Sequence, residues 1–125
     1  MILDTNALSA FFDGDQDLKK VLAGASKISL PVIVLGEYRF GLPGSRLRKV
    51  IEPVLDGFQA SSDVLSIDTE IVWPYAKLCQ QMKRAGTPIP SNDVWIAALA
   101  VQHGLPIVTR DQHFDLMPGI RRLAW

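Results

Sequence analysis

Four short apolar runs constrain the chain most: Met1-Ile2-Leu3, Ile28-Ser29-Leu30, Val64-Leu65-Ser66-Ile67 and Pro106-Ile107-Val108-Thr109. Each is too short for a helix and is bounded by polar or turn-forming residues, as buried strands are. The first three are followed by stretches with helical spacing. Strands that alternate with helices pair in parallel through right-handed crossovers. The expected fold is therefore a small three-layer α/β domain, a mainly parallel central sheet flanked by helices on both faces. With 125 residues and no internal repeat or interdomain linker, one domain over 1–125 accounts for the length.

Caps and breakers divide the helical stretches. Residues 7–12 read as a short helix with Thr5 or Asn6 as N-cap, ended by Gly14. Residues 15–25 carry Leu18, Val21, Leu22 and Ala25 on one face. Pro31 opens a helix over 32–41, and Gly41-Leu42-Pro43-Gly44 stops it. Ser45 caps a longer helix whose apolar face is Leu47, Val50, Ile51, Val54, Leu55 and Phe58, with a kink or break at Pro53. Asp68 caps a helix running to about Arg84, interrupted or kinked early by Pro74. Residues 86–90 lead to Ser91, the expected N-cap of a strongly apolar helix that Gly104 ends. Residues 120–125 form a final edge strand.

The formal net charge is +0, so a nucleic-acid partner would need a local basic patch. Cys79 is the only cysteine, which excludes an intramolecular disulfide framework and a cysteine-built zinc site and fits a reducing cytosol. The sequence opens on a strand without a basic leader and apolar core, and no apolar run is long enough to cross a bilayer. A soluble cytoplasmic protein is expected.

Four acids stand out against this frame. Asp4 and Asp111 both follow an apolar strand, at the sheet edge where open α/β folds bind ligands, although Asp4 also suits a simple helix cap. Asp93 lies in the first turn of a helix, where a carboxylate is favoured for structural reasons alone. Glu37 is more informative, because Val32, Ile33, Val34, Leu35, Tyr38 and Phe40 surround it in an apolar helix. An acid beside a buried face needs a partner, and Arg39, two residues on, points elsewhere. Should the acids converge, two like charges at about 4 Å repel by roughly 4 kcal/mol at an effective dielectric of 20. Protonation, separation or a cation must relieve that. All-oxygen ligands suit Mg²⁺ or Mn²⁺, and such an ion activates water for attack on a phosphodiester.

Asp4-Thr5-Asn6, Gly36-Glu37, Asn92-Asp93-Val94-Trp95-Ile96-Ala97-Ala98 and Thr109-Arg110-Asp111-Gln112-His113-Phe114 together resemble the PIN-domain ribonucleases, and more narrowly the VapC toxins of toxin–antitoxin pairs. The resemblance runs over essentially the whole chain. It implies a PIN-like fold, an acidic pocket binding Mg²⁺ or Mn²⁺, endonucleolytic cleavage of RNA, homodimerisation and inhibition by an antitoxin protein. Asp4, Glu37, Asp93 and Asp111 match the family's four acids, as catalytic residues and metal ligands. Asn6 and Thr109 match supporting polar positions, with Thr5 as local support of Asp4.

Other candidates are weaker. Arg46, Arg48 and Lys49, with Arg39 nearby, form a basic cluster; these and Arg110 are the candidate RNA phosphate contacts. His103 suits a helix end, and His113 is near Asp111. Trp73, Trp95 and Trp125 read as core or interface residues, Cys79 as a small buried hydrophobe, and Phe11, Phe12, Tyr38 and Phe40 as a lining for an antitoxin. A haloacid-dehalogenase-like phosphatase would need an acid where Asn6 stands. A receiver-like domain would need an acidic pair beside Asp4. A non-catalytic binding module on the same fold has no use for concentrated negative charge beside a polyanion.

Overall fold

Residues Ile2–Leu3 form β1, the middle strand of a five-stranded sheet, in the computed structural model, which describes all of residues 1–125. The other strands are β2 (Ser29–Pro31), β3 (Asp63–Leu65), β4 (Ile107–Val108) and β5 (Arg122–Leu123). The order is β3-β2-β1-β4-β5, and every pairing is parallel. Ile2 lies opposite both Ser29 and Ile107, and Leu3 opposite Val108. Consecutive Ile2 and Leu3 are both fully buried, as a strand covered on both faces requires.

Six helices supply those covers: α1 (Thr5–Phe12), α2 (Gln16–Ala23), α3 (Val32–Gly41), α4 (Arg48–Ser61), α5 (Val72–Ala85) and α6 (Ser91–His103). The crossovers from β1 to β2 and β2 to β3 run one way across the sheet, and that from β3 to β4 runs back. Right-handed connections therefore put α1 to α4 on one face and α5 and α6 on the other. The direction reverses between β1 and β4. There the loops leaving the two strands part to opposite faces and leave a crevice at their carboxyl ends. No helix is long and apolar enough to cross a membrane.

Several expectations about helix ends need correction. Asp4, not Thr5 or Asn6, is the N-cap of α1; its side chain accepts from the Thr5 N–H. Ser45 accepts from the Leu47 N–H before α4 begins, and Leu47 occupies the cap position. Ser91 is already the first residue of α6, after Pro90. Asp68 caps a short 3-10 turn, Thr69–Ile71, and α5 follows it, so Pro74 falls in the first turn of α5, where it interrupts nothing. α4 runs unbroken through Pro53; the proline is exposed, so water can reach the carbonyl it leaves without a donor. Of the expected apolar face of α4, only Leu55 is buried, while Val50 is 66% exposed and Leu47 and Val54 also lie on the surface.

Candidate active site at the carboxyl edge of the sheet

The crevice between β1 and β4 is lined by the residues that leave those strands. Asp4 follows β1 and is 5% exposed, and Thr109, which follows β4, is fully buried. The Thr109 hydroxyl donates to Asp4 Oδ2 at 2.7 Å. It also accepts from Asn6 Nδ2 at 2.9 Å and from the Asp111 N–H at 3.0 Å. The second hydrogen of Asn6 Nδ2 goes to Asp4 Oδ2 at 2.8 Å, and Asn6 Oδ1 accepts from the Arg110 N–H. Asp4 Oδ1 takes the Thr5 N–H at 2.7 Å. The amide of Asn6 and the hydroxyl of Thr109 thus tie the two loops together around one carboxylate. Asn6 and Thr109 contact Asp4 through their side chains, whereas Thr5 reaches it only through its backbone N–H.

Glu37 enters from α3 and has the partners its apolar helix demanded. Thr5 Oγ1 donates to its Oε2, and Asn92 Nδ2 donates to its Oε1 at 2.6 Å. Both are neutral, so the charge itself is left uncompensated. Asn92 went unassigned in the sequence; its signal was its place next to Asp93 in the first turn of α6. Asp111 caps the 3-10 turn Gln112–Leu116 by accepting from the His113 N–H, and the His113 ring Nδ1 lies 2.9 Å from its Oδ1. Asp93 makes neither a side-chain hydrogen bond nor an ion pair. Ligand atoms of Asp93, Asp111 and His113 lie within 4.8 Å of one another.

The electrostatics show that the acids share one field. The Asp93 carboxyl is pushed up to about 6 by burial first, then by the charges of Asp4, Asp111 and Glu37, with His113 pulling the other way. Burial likewise raises Asp4; hydrogen bonds from Thr109 and the Thr5 N–H oppose that, and the charges of Glu37 and Asp111 add to it. Asp4, Glu37 and Asp93 enter no ion pair with lysine, arginine or histidine. A pocket of carboxylates in which only Asp111 meets a basic side chain, His113, is a fitting donor set for a hard divalent ion.

The sequence model of the PIN domain matches residues 1–120. The chain belongs to the PIN-domain family. Among curated relatives, VapC ribonuclease Y4jK of Sinorhizobium fredii is 34% identical over 122 residues, covering 89% of this chain and 86% of that protein. Ribonuclease VapC4 of Mycobacterium tuberculosis is 33% identical over 91 residues, 71% of this chain and 70% of its own. This PIN domain is thus of the VapC type. The DNA-bound VapBC structure from Salmonella typhimurium superposes with a TM-score of 0.87 at 28% identity, covering 99% of this chain and 96% of the other. VapBC2 from Rickettsia felis, bound to a promoter DNA fragment, shares the fold with a TM-score of 0.86 at 23% identity, covering 99% and 97%.

Around the acids of this PIN domain the basic residues differ in how free they are. Arg39 pairs with Asp56, and Arg48 with Glu52. Arg110 pairs with Asp15 at 3.0 Å and stacks over the Trp125 ring, 4.4 Å from its centroid. The Trp125 indole N–H also donates to Asp15. Arg46 and Lys49 are exposed and enter no ion pair. Phe11, Phe12 and Tyr38 pack into one aromatic cluster with Phe58, whereas Phe40 is 90% exposed. Trp95 stacks on Tyr75. Trp73 is 75% exposed, which removes it from the core, and Cys79 is half-buried rather than enclosed.

Proposed function

We propose that this PIN domain is a divalent-metal-dependent endoribonuclease and the toxin of a type II toxin–antitoxin pair. The observation that carries the reading is the gathering of Asp4, Glu37, Asp93 and Asp111 around one pocket with no cationic side chain paired to Asp93, where burial first and the other three charges next raise its carboxyl to about 6. Relatives named as VapC ribonucleases and structural neighbours that are VapBC complexes support the same reading.

Asp4, Asp93 and Asp111 would hold Mg²⁺ or Mn²⁺, with Glu37 completing the acidic wall. Such an ion, when bound, neutralises charge developing on a phosphate and lowers the pKa of a coordinated water. The chain's own contribution is placement. Thr109 and Asn6 fix the Asp4 carboxylate from two sides, while Thr5 and Asn92 fix Glu37. Arg46 and Lys49 are the free cations for RNA phosphates; Arg39, Arg48 and Arg110 must share themselves with acidic neighbours. The antitoxin is a protein partner, the protein acts as a homodimer, and its place is the cytoplasm.

Labelled single-stranded and structured RNA, incubated with the purified protein, tests this directly. Cleavage is expected with Mg²⁺ or Mn²⁺ and none in EDTA. Undiminished cleavage in EDTA rejects the metal mechanism, and no cleavage under any condition rejects the ribonuclease.

A further inference from the structure

Thr5, Ser9 and Asp13 recur every four residues along α1, so their side chains share one face. They form one wall of a cavity of about 360 Å³ whose opposite wall includes Glu37 and Tyr38 of α3. Leu42, Leu47 and Ile51 give it an apolar end. Thr5 and Glu37 are hydrogen-bonded to each other and belong to the acid pocket as well. The cavity is therefore continuous with the candidate active site.

Asp13 is not explained by the fold. It sits at the C-cap of α1, the helix end where a carboxylate is electrostatically disfavoured. Its side chain makes no hydrogen bond or ion pair, and it is exposed. Across the cavity the Tyr38 ring is held by stacking on Phe12 at 5.5 Å between centroids. Arg46, exposed and unpaired, lies in the chain between two lining residues, Ser45 and Leu47.

We propose that this cavity is a nucleobase subsite for single-stranded RNA, that it takes a guanine flanking the scissile phosphate, and that Asp13 selects that base. The inference rests on the ribonuclease reading above. Sequence-specific RNA recognition works on unstacked bases read at their Watson–Crick edges. Guanine offers N1–H and N2–H side by side, which one carboxylate accepts together. Adenine and cytosine offer a single amine there, and uracil a lone N–H between two carbonyls that the carboxylate repels. The apolar end receives the ring faces, the hydroxyls of Ser9 and Tyr38 remain for the other polar atoms of the base, and Arg46, between two lining residues in the chain, is the nearest free cation in sequence for the backbone phosphate.

The test maps cleavage sites in a random-sequence RNA pool for the wild type, Asp13→Asn and Ser9→Ala. The affinities of tetranucleotides carrying each base at the mapped position are measured alongside, in an Asp93→Asn background. The wild type should favour guanine at one fixed position beside the cut by about tenfold or more. Asp13→Asn should lower the ratio of guanine to adenine by about tenfold, and Ser9→Ala by less, with the thermal midpoint of Asp13→Asn no lower than that of the wild type because a carboxylate at this helix end is disfavoured. Cut sites without a base preference, or a guanine preference that survives Asp13→Asn, overturn the proposal. So does an Asp13→Asn protein that keeps its base preference but binds a protein partner more weakly, since the cavity then belongs to a protein side chain. If the wild type cuts no RNA the ribonuclease reading fails, and affinities for tetranucleotides with a single guanine at each position in turn, against all-adenine and all-uracil controls, decide the subsite by themselves.

Discussion

Asp4 and Asp93 approach the same pocket from opposite faces of the sheet and are held in opposite ways. Both oxygens of Asp4 are hydrogen-bonded, to a backbone N–H on one side and to Asn6 and Thr109 on the other. Glu37 resembles it, with one donor on each oxygen. Asp93 has no side-chain partner, and Asp111 is met only by His113 and its N–H. One half of the pocket is organised by the chain before anything binds. The other half has few partners, and at Asp93 the charges of the other three acids add to burial, which is what a cation would relieve. Fixed and free carboxylates are thus divided between two sets of residues with the same chemistry.

The largest expected effect asks whether that division is real. Asp4→Asn and Asp93→Asn should each lower metal-dependent cleavage by about 100- to 1000-fold, measured on one labelled RNA. Calorimetry should separate them. In Asp4→Asn an amide N–H₂ faces donors already present, which costs about 1–3 kcal/mol of stability, while Asp93→Asn should lose none. Equal losses in both variants would erase the distinction and return Asp93 to a helix-capping role.

Thr109→Val gives a smaller effect and probes chiefly the organised half. The valine keeps the shape but removes the hydroxyl that serves Asp4, Asn6 and the Asp111 N–H. Affinity for Mn²⁺, measured by titration calorimetry, should fall by about 10- to 100-fold. An unchanged affinity would mean that the Asp4 carboxylate needs no help from its neighbours.

The smallest effect concerns pH. Asp93 has an ordinary value of 3.8 and ionises near 6 in the folded, metal-free protein. Between those values the native state binds more protons than the unfolded state, so stability falls as pH rises from about 4 to about 6 and levels off above. Screening of a partly exposed carboxylate leaves an effect of about 1 kcal/mol. Asp93→Asn should therefore melt a few degrees higher than the wild type at pH 7 without metal, and should lose this slope. A lower midpoint in EDTA would contradict the shared field of the acids.

The alternation of strands and helices was readable because each strand is a short apolar run, and even β5, only Arg122–Leu123, was anticipated by its setting after Pro118-Gly119. The four acids were readable too, Glu37 because its apolar helix left the charge unexplained. Helix caps were less legible. Asp4, Thr5 and Asn6 all suit a cap by type, and only the dihedral angles of Asp4 decide among them. Asn92 and Asp13 depend on which neighbour faces them across a helix pair, and no local pattern encodes that. The surface side of α4 misled for a different reason: Val50 and Val54 fit a helical apolar stripe, yet no element packs over them.

The sequence distances inside the organised half have a consequence for how the protein is made. Asn6 and Thr109 are 103 residues apart, and Asp4 and Thr109 are 105 apart; β1 lies between β2 and β4 in the sheet. During synthesis β1 emerges first, yet one of its edges stays without a partner until β4 leaves the ribosome. The Asp4 carboxylate cannot be fixed before then, because its main hydroxyl donor does not yet exist. Contacts of such long range form late, so the pocket is assembled only after β4 and Thr109 have been made.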